Sequence, residues 1–158
     1  MSLAPYVPSS EFVVDKMLQL ARLKPGELLF DLGSGDGRII LSAAKKFNAK
    51  AVGIELREDL VEQSRQKIKE NHLEGMVKVI HGNFLDVDLS KADVVTMYLT
   101  TSGNSQVRPK LEKELKSGAR VVSHDFEIPG WIPTQVSKVT EEQDYWPLHH
   151  TIYLYEKR

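Results

Sequence analysis

The segment Asp31-Leu32-Gly33-Ser34-Gly35-Asp36-Gly37 constrains the fold more than any other part of the chain. Three alternate glycines follow the apolar run Leu28-Leu29-Phe30-Asp31-Leu32 and lead into residues 38–48. A short apolar run that ends abruptly in glycines reads as a buried strand. In residues 38–48 the apolar positions Ile39, Ile40, Ala43, Ala44 and Phe47 recur at helical spacing, and Lys45 and Lys46 suit the negative end of a helix dipole. A buried strand that turns through glycines into a helix is the opening unit of a doubly wound sheet.

The rest of the chain repeats that alternation. Residues 11–23 predict a helix capped by Ser9 or Ser10 and closed by Lys24-Pro25-Gly26. Further strands are expected at 51–55, 77–80, 94–98 and 120–124, and helices at 58–71 and 106–116, with Gly118 as the stop of the second. Residues 135–139 and 151–155 read as two last strands with no room for a helical crossover, which predicts an antiparallel hairpin. The expected fold is α/β, a Rossmann-like doubly wound seven-stranded sheet, mostly parallel with an antiparallel C-terminal edge hairpin. At 158 residues it fits one domain, with residues 1–10 as an extended segment or lid.

Charge excludes some partners. With 21 basic and 22 acidic residues the chain has no global field for nucleic acid or an anionic membrane, so no stable nucleic-acid binding is expected. The absence of cysteine excludes disulfides, thiolate catalysis and cysteine-ligated zinc. No apolar run reaches the length of a membrane span, and the first residues lack the pattern of a secretory signal. A cytoplasmic location is the expectation.

At the turn, Gly33, Gly35 and Gly37 allow close approach of a ligand, and free amides at the helix start are expected to face it. A dinucleotide site would need G-x-G-x-x-G, but Arg38 occupies the last glycine position. Asp31 and Asp36 bracket the turn and would repel a pyrophosphate. They suit S-adenosylmethionine instead, whose ammonium and sulfonium are cationic. Glu55 closes the second strand and can accept hydrogen bonds from both ribose hydroxyls, a role that serves nicotinamide cofactors equally well. Leu56 beside it is assigned to the same site. Asn83 and Phe84, after the third strand, are positioned for an adenine amino group and ring plane, with an ordinary turn as the alternative.

The run Asp31 to Gly37, with Glu55 and the order of elements, resembles the class I seven-stranded methyltransferases. Outside that core, Pro5-Tyr6-Val7-Pro8, the continuation Arg38-Ile39-Ile40, Val52-Gly53-Ile54-Glu55 and residues 110–131 resemble the small archaeal protein lysine methyltransferases. The lysine methyltransferases that act on the ATP synthase c-ring protein are more distantly similar. The most specific parts are the tyrosine–proline opening and Ser123-His124-Asp125-Phe126-Glu127-Ile128, followed by Gly130-Trp131. The resemblance implies conversion of S-adenosylmethionine to S-adenosylhomocysteine and protein substrates that present lysine; a monomer or weak dimer is expected. The chain departs from the family at Ser34, where cysteine is commoner, at Asn83, where aspartate is, at Tyr98, where phenylalanine is expected, and at Asp125, where glutamate is.

Topology places Tyr98, Thr100 and Thr101 after the fourth strand and Asp125 after the fifth, around the mouth where an acceptor would enter. Tyr98 and Asp125 are the candidates to orient a lysine amine, and Tyr98 also borders the cofactor. Tyr6 is a candidate lid over the methionine end. Trp131 reads either as a substrate rim or as an anchor that holds a loop on the core. His149-His150 looks like a metal pair, but neighbours in a strand point to opposite faces, so no metal is expected there. His124 reads as a packing residue. The competing functions are an RNA or small-molecule methyltransferase and a cofactor-binding module without activity.

Overall fold

The computed structural model describes residues 9–142 and 145–158. Tyr6 and the Pro5-Tyr6-Val7-Pro8 segment lie outside them. The elements run α1 (Glu11–Leu20), β1 (Leu28–Leu32), α2 (Arg38–Phe47), β2 (Lys50–Glu55), α3 (Glu58–Glu70), β3 (Val77–His81), a single 3-10 turn (Phe84–Asp86), β4 (Val94–Met97), α4 (Thr101–Glu114), β5 (Arg120–His124), β6 (Gln135–Glu141) and β7 (Leu148–Glu156). Seven strands form one sheet in the order β3-β2-β1-β4-β5-β7-β6. The first five are parallel, while β7 pairs antiparallel with both β5 and β6. This is the expected fold, hairpin included.

Both faces of the sheet are covered, so the strands read as continuous apolar runs. Leu29, Ala51, Val94 and Val122 pack under α1, α2 and α3. Their neighbours Phe30, Val52, Val95 and Val121 point the other way, into a second core with Val107 and Leu111 of α4. No helix among the described residues is long and apolar enough to cross a membrane.

Three boundaries differ from the sequence reading by three residues or more. Helix α1 ends at Leu20 rather than residue 23, with Arg22 at positive φ in the exit turn. Helix α4 begins at Thr101, five residues earlier than expected. Its first turns, Thr101-Ser102-Gly103-Asn104-Ser105, contain poor helix formers, but the Thr100 hydroxyl caps them by accepting the Gly103 N–H at 3.0 Å. Strand β7 starts at Leu148 because Thr140 and Glu141 of β6 extend the ladder to His149 and Leu148.

Candidate functional site

The chain leaves β1 for β2 on one side and returns to β4 on the other, so the strand order reverses between β1 and β4. Crevices at such a reversal, beyond the carboxyl ends of the strands, are where doubly wound sheets bind ligands. Asp31 stands there on β1, and its buried carboxylate accepts a hydrogen bond from Thr96 Oγ1 of β4 at 2.9 Å. Burial, reinforced by the negative charges of Glu55 and Asp36, pushes its pKa up to about 7 despite the Thr96 bond. A cation placed beside Asp31 would restore the ionised form.

The glycine turn is built around Glu55. Its Oε1 accepts the Gly35 N–H at 2.8 Å and its Oε2 the Arg57 N–H at 3.0 Å. Each oxygen keeps a further lone pair, so the carboxylate is held rigid with acceptor capacity to spare. The Gly33 and Ser34 amides both donate to Ile54 O, at 2.9 and 3.0 Å, and the Gly37 amide to Ser34 O at 3.0 Å. The amides of Gly33, Ser34, Gly35 and Gly37 are thus bonded within the protein, and the helix-start amides of Ile39 and Ile40 lie beyond them, at the first turn of α2. Positive φ at Gly33, Gly35 and Gly37 is what lets the chain close this way. A side chain at Gly53 would run into the Ser34 side chain at about 2.5 Å, so the second strand must also be bare there.

Asp36 does not share the crevice. Arg38 binds its two oxygens at 3.0 and 2.7 Å and Lys67 approaches to 3.3 Å. The Arg38 guanidinium pulls its pKa down to about 2. Asp36 lines a groove among α1, α2 and α3 with Glu11, Val14, Arg38, Ser42 and Lys67. Its carboxylate is held by those two cations. Arg38 also donates to Ser9 O at 2.9 Å, tying the entry to α1 to the turn.

Asn83 Oδ1 accepts the Leu85 N–H at 2.9 Å and caps the 3-10 turn, leaving its amide group for other partners. The Phe84 ring is buried in the second core with Leu32, Ile54 and Met97, rather than exposed for an adenine ring. Leu56 is half-buried beyond Glu55, and its carbonyl lies 3.0 Å from His81 Nε2.

The acceptor side is aromatic. The Tyr98 ring lies on His124 at 3.9 Å between centroids and faces Phe126 at 6.3 Å. Burial, then the charge of Asp125, raises the Tyr98 pKa, so its phenol stays protonated. Thr100 caps α4 and Thr101 is exposed at its first turn. Asp125 has φ of +65°, and its Oδ1 accepts the Thr151 N–H at 3.0 Å, with Oδ2 directed toward the His124–His150 pair. Trp131 is a loop anchor: its indole N–H donates to Glu112 at 2.9 Å and its ring meets Tyr155 edge-on at 5.8 Å.

Sequence reasoning missed Asn104. Fully buried on α4, it donates from Nδ2 to Phe126 O at 3.0 Å and Glu127 O at 2.9 Å, and so fixes the loop after β5. The one signal for it was an asparagine in an otherwise amphipathic stretch that ends in a helix.

The family model described as the ANTKMT methyltransferase domain matches residues 31–135. The chain is 49% identical to a protein-lysine N-methyltransferase of Saccharolobus islandicus, over 96% of its own length and 92% of that protein. It is 37% identical to the mouse adenine nucleotide translocase lysine N-methyltransferase, over 84% of its own length but only 57% of the relative's. Among solved structures, an RNA methyltransferase from Salinibacter ruber in complex with S-adenosylhomocysteine superposes with a TM-score of 0.84 and 40% identity, covering 95% of this chain and 93% of that one. With the strand-end crevice, the rigid Glu55 and the buried Asp31 already in place, these matches make the chain a member of the ANTKMT methyltransferase family.

Proposed function

We propose that this chain transfers the methyl group of S-adenosylmethionine to the side-chain amine of lysine in protein substrates. The observation that carries the acceptor is the near full-length likeness to a protein-lysine N-methyltransferase. The donor fits the crevice on independent grounds. Asp31 is a buried acid short of a cation, Glu55 offers braced acceptor oxygens for a ribose, and the Gly33, Ser34 and Gly35 amides are bonded within the turn rather than offered to a pyrophosphate.

S-adenosylmethionine supplies a methyl group already activated on a sulfonium, so the protein's main task is alignment. Asp31 and Glu55 fix the ligand at the ends of β1 and β2, with Gly33, Gly35 and Gly37 giving the backbone clearance and Leu56 and Asn83 shaping the adenosine side. The remaining difficulty lies with the acceptor, because a free lysine has a pKa near 10.4 and is protonated at neutral pH. An apolar mouth next to a cation favours the neutral amine by desolvation and like-charge repulsion. Tyr98, with Thr100 and Thr101 on one side and Asp125 on the other, forms that mouth. Being protonated, the Tyr98 phenol does not act as a base; its oxygen accepts an N–H of the amine and orients the nitrogen lone pair, while the proton leaves to water. Asp125 shapes the wall beside it.

The Salinibacter ruber likeness favours RNA as a second reading, against which stands the balanced charge of 21 basic and 22 acidic residues. Incubation with methyl-labelled cofactor and, separately, a protein extract and total RNA decides between them. Label mapped by mass spectrometry to lysine is expected; label found only in RNA refutes the reading.

A further inference from the structure

A cluster of donor atoms stands at the end of β5, where Asp125 also borders the acceptor mouth. His124 Nε2 and His150 Nδ1 lie 2.9 Å apart, and Asp125 Oδ2 lies 3.5 Å from the first and 4.0 Å from the second. These three atoms, on β5, the residue after it and β7, fall within 4.8 Å of one another. The adjacent pair His149-His150 forms no such site: His149 turns away to Thr140, with Nδ1 at 3.1 Å from its hydroxyl. The fold instead pairs His150 with His124 across the β5–β7 ladder.

A simple hydrogen-bond chain accounts for this arrangement poorly. Only one hydrogen fits between the two ring nitrogens, His150 Nε2 is buried with no partner, and Asp125 Oδ2 is too far from either ring for a hydrogen bond. We propose that His124, Asp125 and His150 form a binding site for a divalent transition-metal ion, through a two-histidine, one-carboxylate face. Two imidazole nitrogens each about 2.1 Å from one ion are about 2.9 to 3.4 Å apart, as here. Such a face suits zinc, nickel, cobalt or iron, with the remaining positions open to water.

The outer partners agree. A metal-bound imidazole donates its other N–H to an oxygen that fixes its orientation. His124 Nδ1 has such a partner in Ser9 Oγ at 2.8 Å, while for His150 Nε2 the nearest carboxylate oxygen is Glu141 Oε1 at 3.9 Å, which must close in when the ion binds. Asp125 Oδ1 is held by the Thr151 N–H, which leaves Oδ2 for the ion, and the left-handed backbone at Asp125 is what turns the carboxylate there. An ion here would staple β5 to β7 and, through Ser9, to the entry of α1. It would also fix His124, the surface on which Tyr98 rests.

Cobalt(II) titrated into the full chain after chelator treatment tests this. One saturable equivalent with visible d–d absorption is expected, displaced by zinc. His150→Ala should weaken cobalt binding by more than the roughly 100-fold cost of losing an outer partner, and Ser9→Ala by about 10-fold. Asp125→Asn, which keeps the Thr151 bond through its amide oxygen, should weaken it independently, and circular dichroism confirms that each variant is folded. His149→Ala should leave binding unchanged. Absence of a saturable spectrum, or equal affinity in wild type, His150→Ala and Asp125→Asn, would overturn the assignment.

Discussion

Asp31 offers a measurement in which the direction of a pH effect distinguishes a ligand-binding acid from a merely buried one. Its folded pKa of about 7 stands above the ordinary 3.8 because the carboxyl is buried beside two other acids. A raised acid pKa means that the folded protein holds the proton more tightly than the unfolded chain does. Stability is therefore lost as pH rises from about 4 to about 7, and above that window the charged, buried carboxylate costs about 4 kcal/mol. Asp31→Asn removes the titration while keeping an oxygen for the Thr96 hydroxyl. Without cofactor, the variant should exceed wild type in stability at pH 8 by up to that amount, and the advantage should shrink toward zero near pH 4. His124, whose pKa burial pulls down to about 4, drives stability the other way, but it is common to both proteins and cancels in the difference. Urea unfolding across pH 4.5–8.5 reads the difference directly. The same charge should favour a cationic ligand: S-adenosylhomocysteine, which keeps the ammonium, should bind wild type up to about tenfold more weakly per unit of pH below 7, and Asp31→Asn weakly at every pH. Parallel stability curves for the two proteins, or equal cofactor affinities at pH 8, would refute the reasoning.

Glu55→Gln replaces an acceptor oxygen with a donor that must face the Gly35 or Arg57 N–H, and calorimetry should show cofactor affinity lowered by about 10- to 100-fold. Tyr98→Phe keeps the ring on His124 but loses the hydroxyl, so kcat on a lysine substrate should fall by about tenfold, the value of one hydrogen bond, with cofactor affinity unchanged. Ser34→Ala removes a buried hydroxyl that has no partner and should raise stability by about 1 kcal/mol in urea unfolding; a comparable loss would mean that the hydroxyl is bonded. Gly130→Ala forces a side chain onto a backbone at φ of +85° and against Arg108, whose Nη1 bonds Pro129 O at 2.6 Å. It should cost about 2 kcal/mol by the same assay.

What the sequence makes legible is the periodic part. Every expected strand is present, because runs such as Val94-Val95-Thr96-Met97 are buried on both faces and contain little else. The glycine turn and Glu55 were legible for a similar reason, since a strand end and three glycines leave few alternatives. Helix α4 was read short because a cap decides its start, and Thr100 as a cap becomes visible only once Gly103 is placed beneath it. Asp36 and Asp31 look alike in sequence, two acids flanking a turn. Their difference comes from partners distant in the chain: Thr96 for one, and Lys67 together with the neighbouring Arg38 for the other. The His124–His150 pairing depends on the register of β5 against β7, in which His124 lies opposite Ile152, and no local pattern encodes that.

That division of the two acids bears on ligand choice. In a phosphate-binding turn the amides stay unbonded and present partial positive charge to the ligand. Here the Gly33 and Ser34 amides are spent on Ile54 O and the Gly35 amide on Glu55, so these three offer shape rather than positive potential. Asp36 is neutralised by Arg38 and Lys67 on the helix side, which leaves Asp31 and Glu55 as the acids on the crevice side. The crevice is therefore negative where a dinucleotide site is positive. The same glycine-rich backbone is converted from an anion site to a cation site by the hydrogen bonds its own amides make, and the preference for a sulfonium-bearing ligand follows from that inversion rather than from the glycines.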